Sequence, residues 1–390
     1  MRVLISGGGI AGPALAHWLG RHGIGATIVE RAVAPRPGGQ TVDIRGAARG
    51  VVERMGLLAT IRARCVDERG VALVDSSGRR LAELGADLFG GEGIVAELEI
   101  LRGDLAAVLR DHAGPEVEHR FGDHLVALAQ DERGVDVRFA SGRTERFDVV
   151  VGADGVRSAV RRLAFGPERE FVRHLGAYTS YFTVPDPGDL DHWFLLHNAP
   201  GGRVAGLRPA RPGTAMASLT FTSPPLPVSR EVLAERMTGV GWRVPALLAA
   251  LRDADDCYLD AISQVRVERW ARGRVVLLGD AGYCGSPLAG QGTSLALVGA
   301  YVLAGELAGN PGDPAAAFAA YQRELRHYVA AGIRLPPGGV RAFAPNSAAM
   351  IAVRAGSMRM MTRPPLRALM TRQFGKAERI SLKDYAVAPS

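Results

Sequence analysis

The sequence predicts an α/β fold in which a mostly parallel sheet with helices is interrupted by a second, antiparallel sheet and followed by a helical C-terminal segment. Three observations support this prediction. Residues 2–31 show strand, helix and strand patterns in turn. Unbroken apolar runs at 149–151 and 275–278 are typical of parallel strands that are buried on both faces. Residues 176–222 instead alternate apolar and polar positions between Pro- and Gly-rich turns, as antiparallel strands do.

The first of these units carries a glycine motif at the turn between its strand and its helix. Gly7, Gly9 and Gly12 have the spacing G-x-G-x-x-G. Gly7 permits the tight turn, Gly9 lets a pyrophosphate approach the backbone, and Gly12 lets the helix pack closely on the sheet. Glu30 ends the second strand near the spacing at which an acid binds a ribose hydroxyl. The unit predicts a dinucleotide site, with a plain glycine-rich turn as the alternative.

Composition and charge narrow the class of protein. The chain has 390 residues and 47% hydrophobic content, enough for two or three structural units with a sizeable core. Its formal charge of +7 comes from arginines spread along the chain, since only Lys376 and Lys383 are lysines. This spread favours an anionic small molecule over a nucleic acid as the electrostatic partner. No protein partner is indicated.

The cysteines and the apolar runs bear on the cellular compartment. Cys65, Cys257 and Cys284 show no metal-ligand or disulfide spacing, so we expect no bound metal and no disulfide framework. The N-terminus enters a strand directly, and no apolar run reaches eighteen residues. These features predict a cytoplasmic protein without membrane contact.

The first half of the chain continues with a loop and three further elements. The loop after Glu30 is rich in Pro and Gly and carries Asp43 and Arg45, which either contact a ligand or, as the alternative, turn the loop and face solvent. A helix is predicted at 47–64 and short strands at 71–98, with a turn at Gly90-Gly91. Arg102 stands at the entrance of the next helix, where it either reaches a phosphate or forms an ion pair.

Strands at 117–121, 124–130 and 135–139 precede the buried strand at 149–151, which ends at Asp154-Gly155. Open α/β sheets bind ligands at the carboxyl ends of their strands. Helices are predicted at 230–237 and 245–254, and the apolar run 275–278 ends at Gly279-Asp280.

Helices at 293–307 and 315–331 come next. The arginine-rich residues 336–390 either contact a membrane or, as we expect, form helices with one solvated face.

Three motifs occur in the order found in a known family. They are the glycine motif at Gly7 to Gly12, Asp154-Gly155, and Gly279-Asp280 followed by Pro287 and Gly290-Gln291-Gly292. The chain is similar to the single-component, class A flavoprotein monooxygenases of the para-hydroxybenzoate hydroxylase fold over residues 1 to about 335. Within that family it looks most like the tetracycline-inactivating and antibiotic-biosynthesis hydroxylases.

The resemblance implies three structural units. An FAD-binding domain, Rossmann-like and of the glutathione reductase type, would comprise residues 1–70, 100–175 and 270–335. An inserted antiparallel β-sheet domain for the substrate would comprise 71–99 and 176–269. A helical segment would occupy 336–390.

The resemblance also implies two sets of site residues. The residues implied for FAD are Gly7, Gly9, Ile10, Ala11, Gly12, Glu30, Arg31, Asp43, Arg102, Asp154, Asp280, Pro287, Gly290, Gln291 and Gly292. The residues expected to face the substrate are Arg45, Tyr178, Tyr181, His197 and Met216. Strand alternation means that about half of any such set must point elsewhere. No catalytic side chain is assigned.

The implied activity is that of an FAD-dependent monooxygenase. NAD(P)H would reduce the flavin, O₂ would form a C4a-hydroperoxide on it, and one oxygen atom would pass to an electron-rich aromatic or enolic, polyketide-like substrate. NAD(P)H would bind only transiently, since no second G-x-G-x-x-G is present. The alternatives are an FAD-dependent reductase, a flavoprotein that only sequesters a ligand, and a nucleotide-binding protein without flavin. The chain departs from the family at Tyr283, where the family usually has His, so any proton transfer by that His is in doubt.

Overall fold

The computed structural model describes residues 1–36, 38–88, 97–364 and 380–385. The strands are β1 (Arg2–Ser6), β2 (Gly25–Glu30), β3 (Thr41–Asp43), β4 (Gly70–Val74), β5 (Arg80–Gly85), β6 (Glu99–Leu101), β7 (Glu118–Phe121), β8 (Leu125–Gln130), β9 (Val135–Phe139), β10 (Thr144–Phe147), β11 (Val149–Gly152), β12 (Val172–Pro185), β13 (Trp193–Ala199), β14 (Arg203–Pro209), β15 (Thr214–Thr222), β16 (Tyr258–Arg266), β17 (Ala271–Arg272), β18 (Val275–Leu277) and β19 (Tyr283–Cys284). The helices are α1 (Ala11–Arg21), α2 (Ala47–Arg54), α3 (Leu58–Arg62), α4 (Arg102–His112), α5 (Ala159–Ala164), α6 (Arg230–Met237), α7 (Val244–Asp253), α8 (Gly292–Gly309), α9 (Pro314–Gly332), α10 (Gly339–Phe343) and α11 (Ala348–Met361).

A six-stranded sheet brings the three sequence motifs together. Its order is β17-β18-β11-β1-β2-β7, and all pairs are parallel except β17 with β18. Ile5 on β1 pairs with Val151 on one side and Ile28 on the other, and all three side chains are buried. Because β1, β11 and β18 are neighbours, the motifs that follow them lie at one edge of the sheet.

An eight-stranded sheet forms the second layer, in the order β19-β16-β12-β15-β14-β13-β4-β5. It is antiparallel except for β4 with β13. Its outer face packs on α6 and α7 and buries Phe182, Leu207, Leu233 and Leu247. We call the opposite face, which carries Tyr181, Thr183 and Arg208, the inner face.

Helix α8 is the only described helix that is long and apolar enough to cross a membrane. It has 18 residues, and 83% of them are buried within the fold. Helices α1, α2 and α9 all pack against it. We therefore interpret α8 as a central core helix.

Several elements differ in detail from the sequence prediction. The helix predicted at 47–64 is two helices, α2 and α3, because the chain turns at Gly56 with φ +73°. Glu99, placed by the sequence with the substrate domain, begins β6, and β6 pairs with β3 instead of the eight-stranded sheet. The predicted turn at Gly90-Gly91 and the arginines Arg367 and Arg372 lie outside the described residues.

The C-terminal residues return to the core. Helix α11 covers part of the inner face, where Ala355 and Met358 pack near Leu196. Residues 380–385 then lie against α8, with the Lys383 ammonium 2.9 Å from the Glu306 carboxylate. The Tyr385 ring fills the space over Gly305, where a β-carbon would lie 2.2 Å from it.

Candidate active site

The turn between β1 and α1 is closed by direct backbone contacts. A β-carbon at Gly12 would lie 2.0 Å from the carbonyl oxygen of Gly7. Gly7 has φ +116°, and a β-carbon there would lie 2.4 Å from the carbonyl oxygen of Ala153. Ala11 contacts the segment that follows β18, since its methyl is 3.5 Å from the β-carbon position of Gly279. The glycines therefore let three strand ends approach one another.

Glu30 is held in place by the turn. One carboxylate oxygen accepts a hydrogen bond from the Gly8 amide and the other accepts one from the Ala32 amide, both at 2.9 Å. Each oxygen keeps a second lone pair for a hydroxyl donor. Arg31 is exposed beside it.

Arg102, the first residue of α4, faces the glycine turn. Its Nη2 lies 3.2 Å from the position of a β-carbon on Gly9. Its amide donates to the Gln40 carbonyl at 2.9 Å, which fixes the start of the helix. Within the described parts of the chain, no carboxylate or carbonyl accepts a hydrogen bond from its guanidinium. This half-buried cation is available to an anion that lies over the turn.

Asp154 organises the turn after β11. It accepts hydrogen bonds from the Ser158 hydroxyl and from the amides of Ala159 at 2.8 Å and Val160 at 3.2 Å. The Ser6 hydroxyl also donates to it at 3.3 Å, which links β11 to β1. Burial raises the pKa of this carboxyl. The local hydrogen bonds make Asp154 a support of the turn.

The loop after β18 lies against both Asp280 and Asp43. The β-carbon position of Gly292 is 3.6 Å from Oδ1 of Asp280, and that of Gly290 is 3.9 Å from Oδ2 of Asp43. Burial raises the pKa of Asp280, and the nearby Arg102 guanidinium opposes that rise. Ser286 adopts φ +77°, an uncommon backbone conformation for a residue with a side chain.

The inner face of the eight-stranded sheet carries two of the predicted substrate residues. Met216 pairs directly with Thr183 and Arg208, and Tyr181 lies two residues before Thr183 on the same strand. The Tyr181 ring stacks on that of Tyr258 with centroids 6.5 Å apart.

Tyr178 and His197 lie on the outer face, contrary to the sequence prediction. The Tyr178 hydroxyl donates to the Leu226 carbonyl at 2.8 Å, and its ring stacks on Phe221. The His197 ring lies 5.9 Å from Trp242, with Nδ1 3.1 Å from the Val74 carbonyl oxygen. Alternation along a strand separates its two faces but does not say which one turns toward the ligand, and the structure assigns both residues to the packing face.

Arg45 is buried beside the loop and pairs with Asp43. Its Nη2 donates to the Asp43 carboxylate at 2.7 Å. The Arg45 amide donates to the Ser294 hydroxyl in the first turn of α8 at 3.2 Å. The pair therefore joins the loop after β2 to the start of α8, instead of leaving Arg45 in solvent.

A buried ionic cluster on the inner face was not predicted from the sequence. The Arg208 guanidinium donates to Glu68 at 2.7 Å and also to Glu99. The Thr41 hydroxyl donates to Glu99 at 3.0 Å. Glu68 is 1% exposed, and the second oxygen of each glutamate has no hydrogen-bond partner among the described residues. Glu68 and Arg208 are far apart along the chain, so no local spacing marks the cluster.

Asp43 places its carboxyl near the same cluster, so three acids face two arginines. Burial, reinforced by repulsion from Glu99, raises the pKa of Asp43, while Arg45 opposes the rise. The pKa of Glu68 is raised from 4.5 to about 8, mainly by burial. The Arg208 guanidinium opposes this rise, and repulsion from Glu99 adds to it. The arrangement favours a proton held within the cluster near neutral pH.

Tyr283, which replaces the usual His of the resembled family, points into the core. Its hydroxyl lies 2.6 Å from that of Tyr321, which in turn donates to the Leu277 carbonyl at 3.3 Å. A β-carbon at Gly299 would lie 2.5 Å from the Tyr283 oxygen, so that glycine makes room for the hydroxyl. Burial raises the pKa of Tyr283 to about 12. Its place in the structure is that of a packing residue.

Replacing Tyr283 with Phe should therefore lower stability without affecting cofactor retention. We expect the free energy of unfolding to fall by about 1 kcal/mol, the value of one buried hydrogen bond. Thermal unfolding and the flavin absorbance of the purified protein would measure the two effects. Loss of bound flavin in this variant would contradict the packing role.

Fold and site together define an α/β dinucleotide-binding protein with a second sheet, which is joined to the nucleotide-binding unit by side-chain bonds such as that from Arg157 to Asp260. A family model described as an FAD binding domain matches residues 1–332. A flavin-dependent monooxygenase of Legionella longbeachae is 38% identical over 337 residues, covering 84% of this chain and 86% of that protein. The chain belongs to the FAD-binding family and is an FAD-dependent monooxygenase.

One further relative and one crystal structure are similar to most of the chain. An uncharacterized protein of Mycobacterium tuberculosis is 44% identical over 336 residues, covering 84% of this chain and 90% of that protein. The crystal structure of the tetracycline destructase Tet(51) superposes with a TM-score of 0.81 at 32% identity, covering 98% of this chain and 99% of that one. The likeness therefore includes the second sheet and the C-terminal helices.

The residues present suit FAD. A β-carbon on Gly9 would fill the space beneath the Arg102 guanidinium, at 3.2 Å from it, and the glycine leaves that space open. Arg102 is a cation without an acceptor in the described chain, and Glu30 retains lone pairs for a ribose hydroxyl. These are the donor and acceptor types that a pyrophosphate and a ribose require.

Proposed function

We propose that this monooxygenase uses NAD(P)H to insert one oxygen atom into an electron-rich aromatic or enolic, natural-product-like substrate. The observation that carries the proposal is the inner face of the second sheet, which carries Tyr181 and Met216 and contacts β6 through the hydrogen bond from Arg208 to Glu99. An aromatic ring and a thioether suit a flat, apolar ligand.

FAD is proposed to lie across the edge of the six-stranded sheet. Gly7 to Gly12 and Arg102 would hold its pyrophosphate, and Glu30 its adenosine ribose. Asp280 would hold the ribityl chain, and the loop from Pro287 to Gly292 would lie against the isoalloxazine ring. Asp154 would support this site through the turn that it organises.

When bound, FAD supplies the redox chemistry: it passes two electrons from NAD(P)H to O₂, so that one oxygen atom enters the substrate and the other leaves as water. The chain contributes charge and shape. The N-terminal end of the α8 dipole places a partial positive charge beside the loop, where it favours an anion. The Asp43–Arg45 pair next to that helix start would orient polar groups of the substrate.

The substrate is proposed to be bulky and polycyclic, by analogy with the tetracycline destructases to which the chain is similar. We also propose that the protein works in the cytoplasm, in keeping with the free Cys65, Cys257 and Cys284.

A labelling experiment tests the reaction. The purified holoenzyme would be supplied with NADPH or NADH, isotopically labelled O₂ and a panel of polycyclic phenols and enols that includes tetracycline. A product that carries one labelled oxygen atom supports the proposal. Stoichiometric NAD(P)H oxidation with a reduced but unlabelled product would replace it with the reductase function. Ligand binding without NAD(P)H oxidation would indicate a sequestering flavoprotein.

A further inference from the structure

A groove outside the proposed FAD site is lined by arginines. It consists of a cavity of about 480 Å³ and an adjoining one of about 220 Å³, and Arg173 lines both. The charged residues that line the two cavities are Arg169, Arg173, Arg266, Arg341 and Glu170. Four guanidinium groups thus face one carboxylate.

These arginines are not used to hold the fold together. All four are exposed, and none has an ion pair or a side-chain hydrogen bond within residues 1–36, 38–88, 97–364 and 380–385. Other exposed arginines do form ion pairs, as Arg146 does with Asp131 at 2.6 Å. A concave surface with like charges and little counter-charge attracts anions.

His174 also lines the larger cavity. Its Nδ1 accepts from the Gly176 amide at 3.0 Å, so in the neutral ring Nε2 carries the proton. That Nε2 is buried and has no acceptor in the described chain. The charged side chains at the groove are therefore mainly guanidinium donors, which are the complement of phosphate oxygens.

The groove adjoins the loop proposed to lie on the flavin. Leu288 of that loop packs in one apolar cluster with Ala177, Ile262 and Val340. Val340 also lines the larger cavity. Val340 therefore belongs both to the wall of the larger cavity and to the apolar cluster that contacts the loop. A ligand held in the groove by its phosphates would have its remaining part next to the flavin.

We propose that this groove binds the phosphate groups of the nicotinamide dinucleotide that serves as electron donor. The inference rests on the proposed function, because only a protein that consumes NAD(P)H needs such a site. Arg173 on β12 and Arg341 on α10 both line the larger cavity and would contact the phosphates directly. A dinucleotide has several phosphate charges, which agrees with several arginines around one cavity.

Calorimetric titration of the holoenzyme with NADP⁺ and NAD⁺ tests the site without any turnover. Arg173→Gln and Arg341→Gln should each raise the dissociation constant of the preferred nucleotide about tenfold, the effect of losing one charge-assisted hydrogen bond. The matched control is Arg138→Gln, which removes the same charge from an exposed position on β9. The control should bind within about twofold of the wild type. FAD content and thermal unfolding should stay unchanged in all three variants.

The outcomes separate this proposal from the proposed function. Unchanged nucleotide affinity in both groove variants would overturn the groove, even if the wild type oxygenates a substrate. A wild type that binds neither NADP⁺ nor NAD⁺ would also overturn it. The same holds if the variants lose affinity only for a substrate that carries an acidic group. Weakened nucleotide binding with no labelled product from the wild type would support the groove while removing the monooxygenase function.

Discussion

Gly12→Ala is expected to abolish FAD retention and to destabilise the fold. The added methyl group would lie 2.0 Å from the Gly7 carbonyl oxygen, a backbone atom within the turn that closes β1 onto α1. Helix α1 must then move away from the sheet, and we expect a loss of about 3 kcal/mol or more in the free energy of unfolding. Flavin absorbance after gel filtration and chemical denaturation of the same sample would measure both effects.

Gly20→Ala provides the matched control within the same helix. The nearest heavy atom to a β-carbon at Gly20 is the Ala113 carbonyl oxygen at 4.0 Å, so the methyl group has room. Alanine favours a helix over glycine by about 1 kcal/mol, so this variant should be as stable as the wild type or more so. Full FAD retention by Gly12→Ala would show that the close approach of turn and helix is not needed for binding.

Features of the site that lie within a short stretch of chain can be predicted from the sequence, because local geometry sets their spacing. The spacing of Gly7, Gly9 and Gly12 indicates a strand, a turn and a helix, and the structure has β1 and α1 there. The apolar run that ends at Leu278 likewise corresponds to β18. In both places the period of the pattern identifies the element.

Long-range features were not open to such prediction. Glu68 and Arg208 meet only because β14 and the segment before β4 come together in the folded chain. The sequence predicts that Tyr178 and His197 face the ligand, but alternation along a strand does not determine which face that is, and both residues lie on the outer face. Tyr283 could be recognised as a departure, but its partner Tyr321 lies on α9 and only the fold shows the contact.

Arg208→Met is expected to be strongly destabilising at alkaline pH. The change would leave Glu68 and Glu99 buried without the guanidinium that both contact. Removing one partner of a buried ion pair costs about 3 to 5 kcal/mol. The loss should be smaller at pH 5, because buried carboxyls without a counter-charge take up protons instead of remaining ionised. Denaturation of the FAD-saturated protein at pH 5 and pH 8 would measure the difference.

Arg146→Met is the control, since among the described residues the Arg146 side chain pairs with Asp131 and Asp136 alone, both at the surface. It should change stability by less than about 1 kcal/mol at either pH. A loss from Arg208→Met that is equal at pH 5 and pH 8 would show that Arg208 acts through packing alone.

The same cluster should make the stability of the wild type depend on pH. The folded state raises the pKa of Glu68 from 4.5 to about 8, so between these values the native protein holds a proton that the unfolded chain has released. Stability contributed by this group is present below pH 4.5 and is lost as the pH rises toward 8. Glu68→Gln removes the titrating group but keeps its shape, so its stability should fall less than that of the wild type over this range. If the two curves run parallel, Glu68 is not the residue that holds the proton, and Asp43, whose pKa is also raised by burial, becomes the candidate.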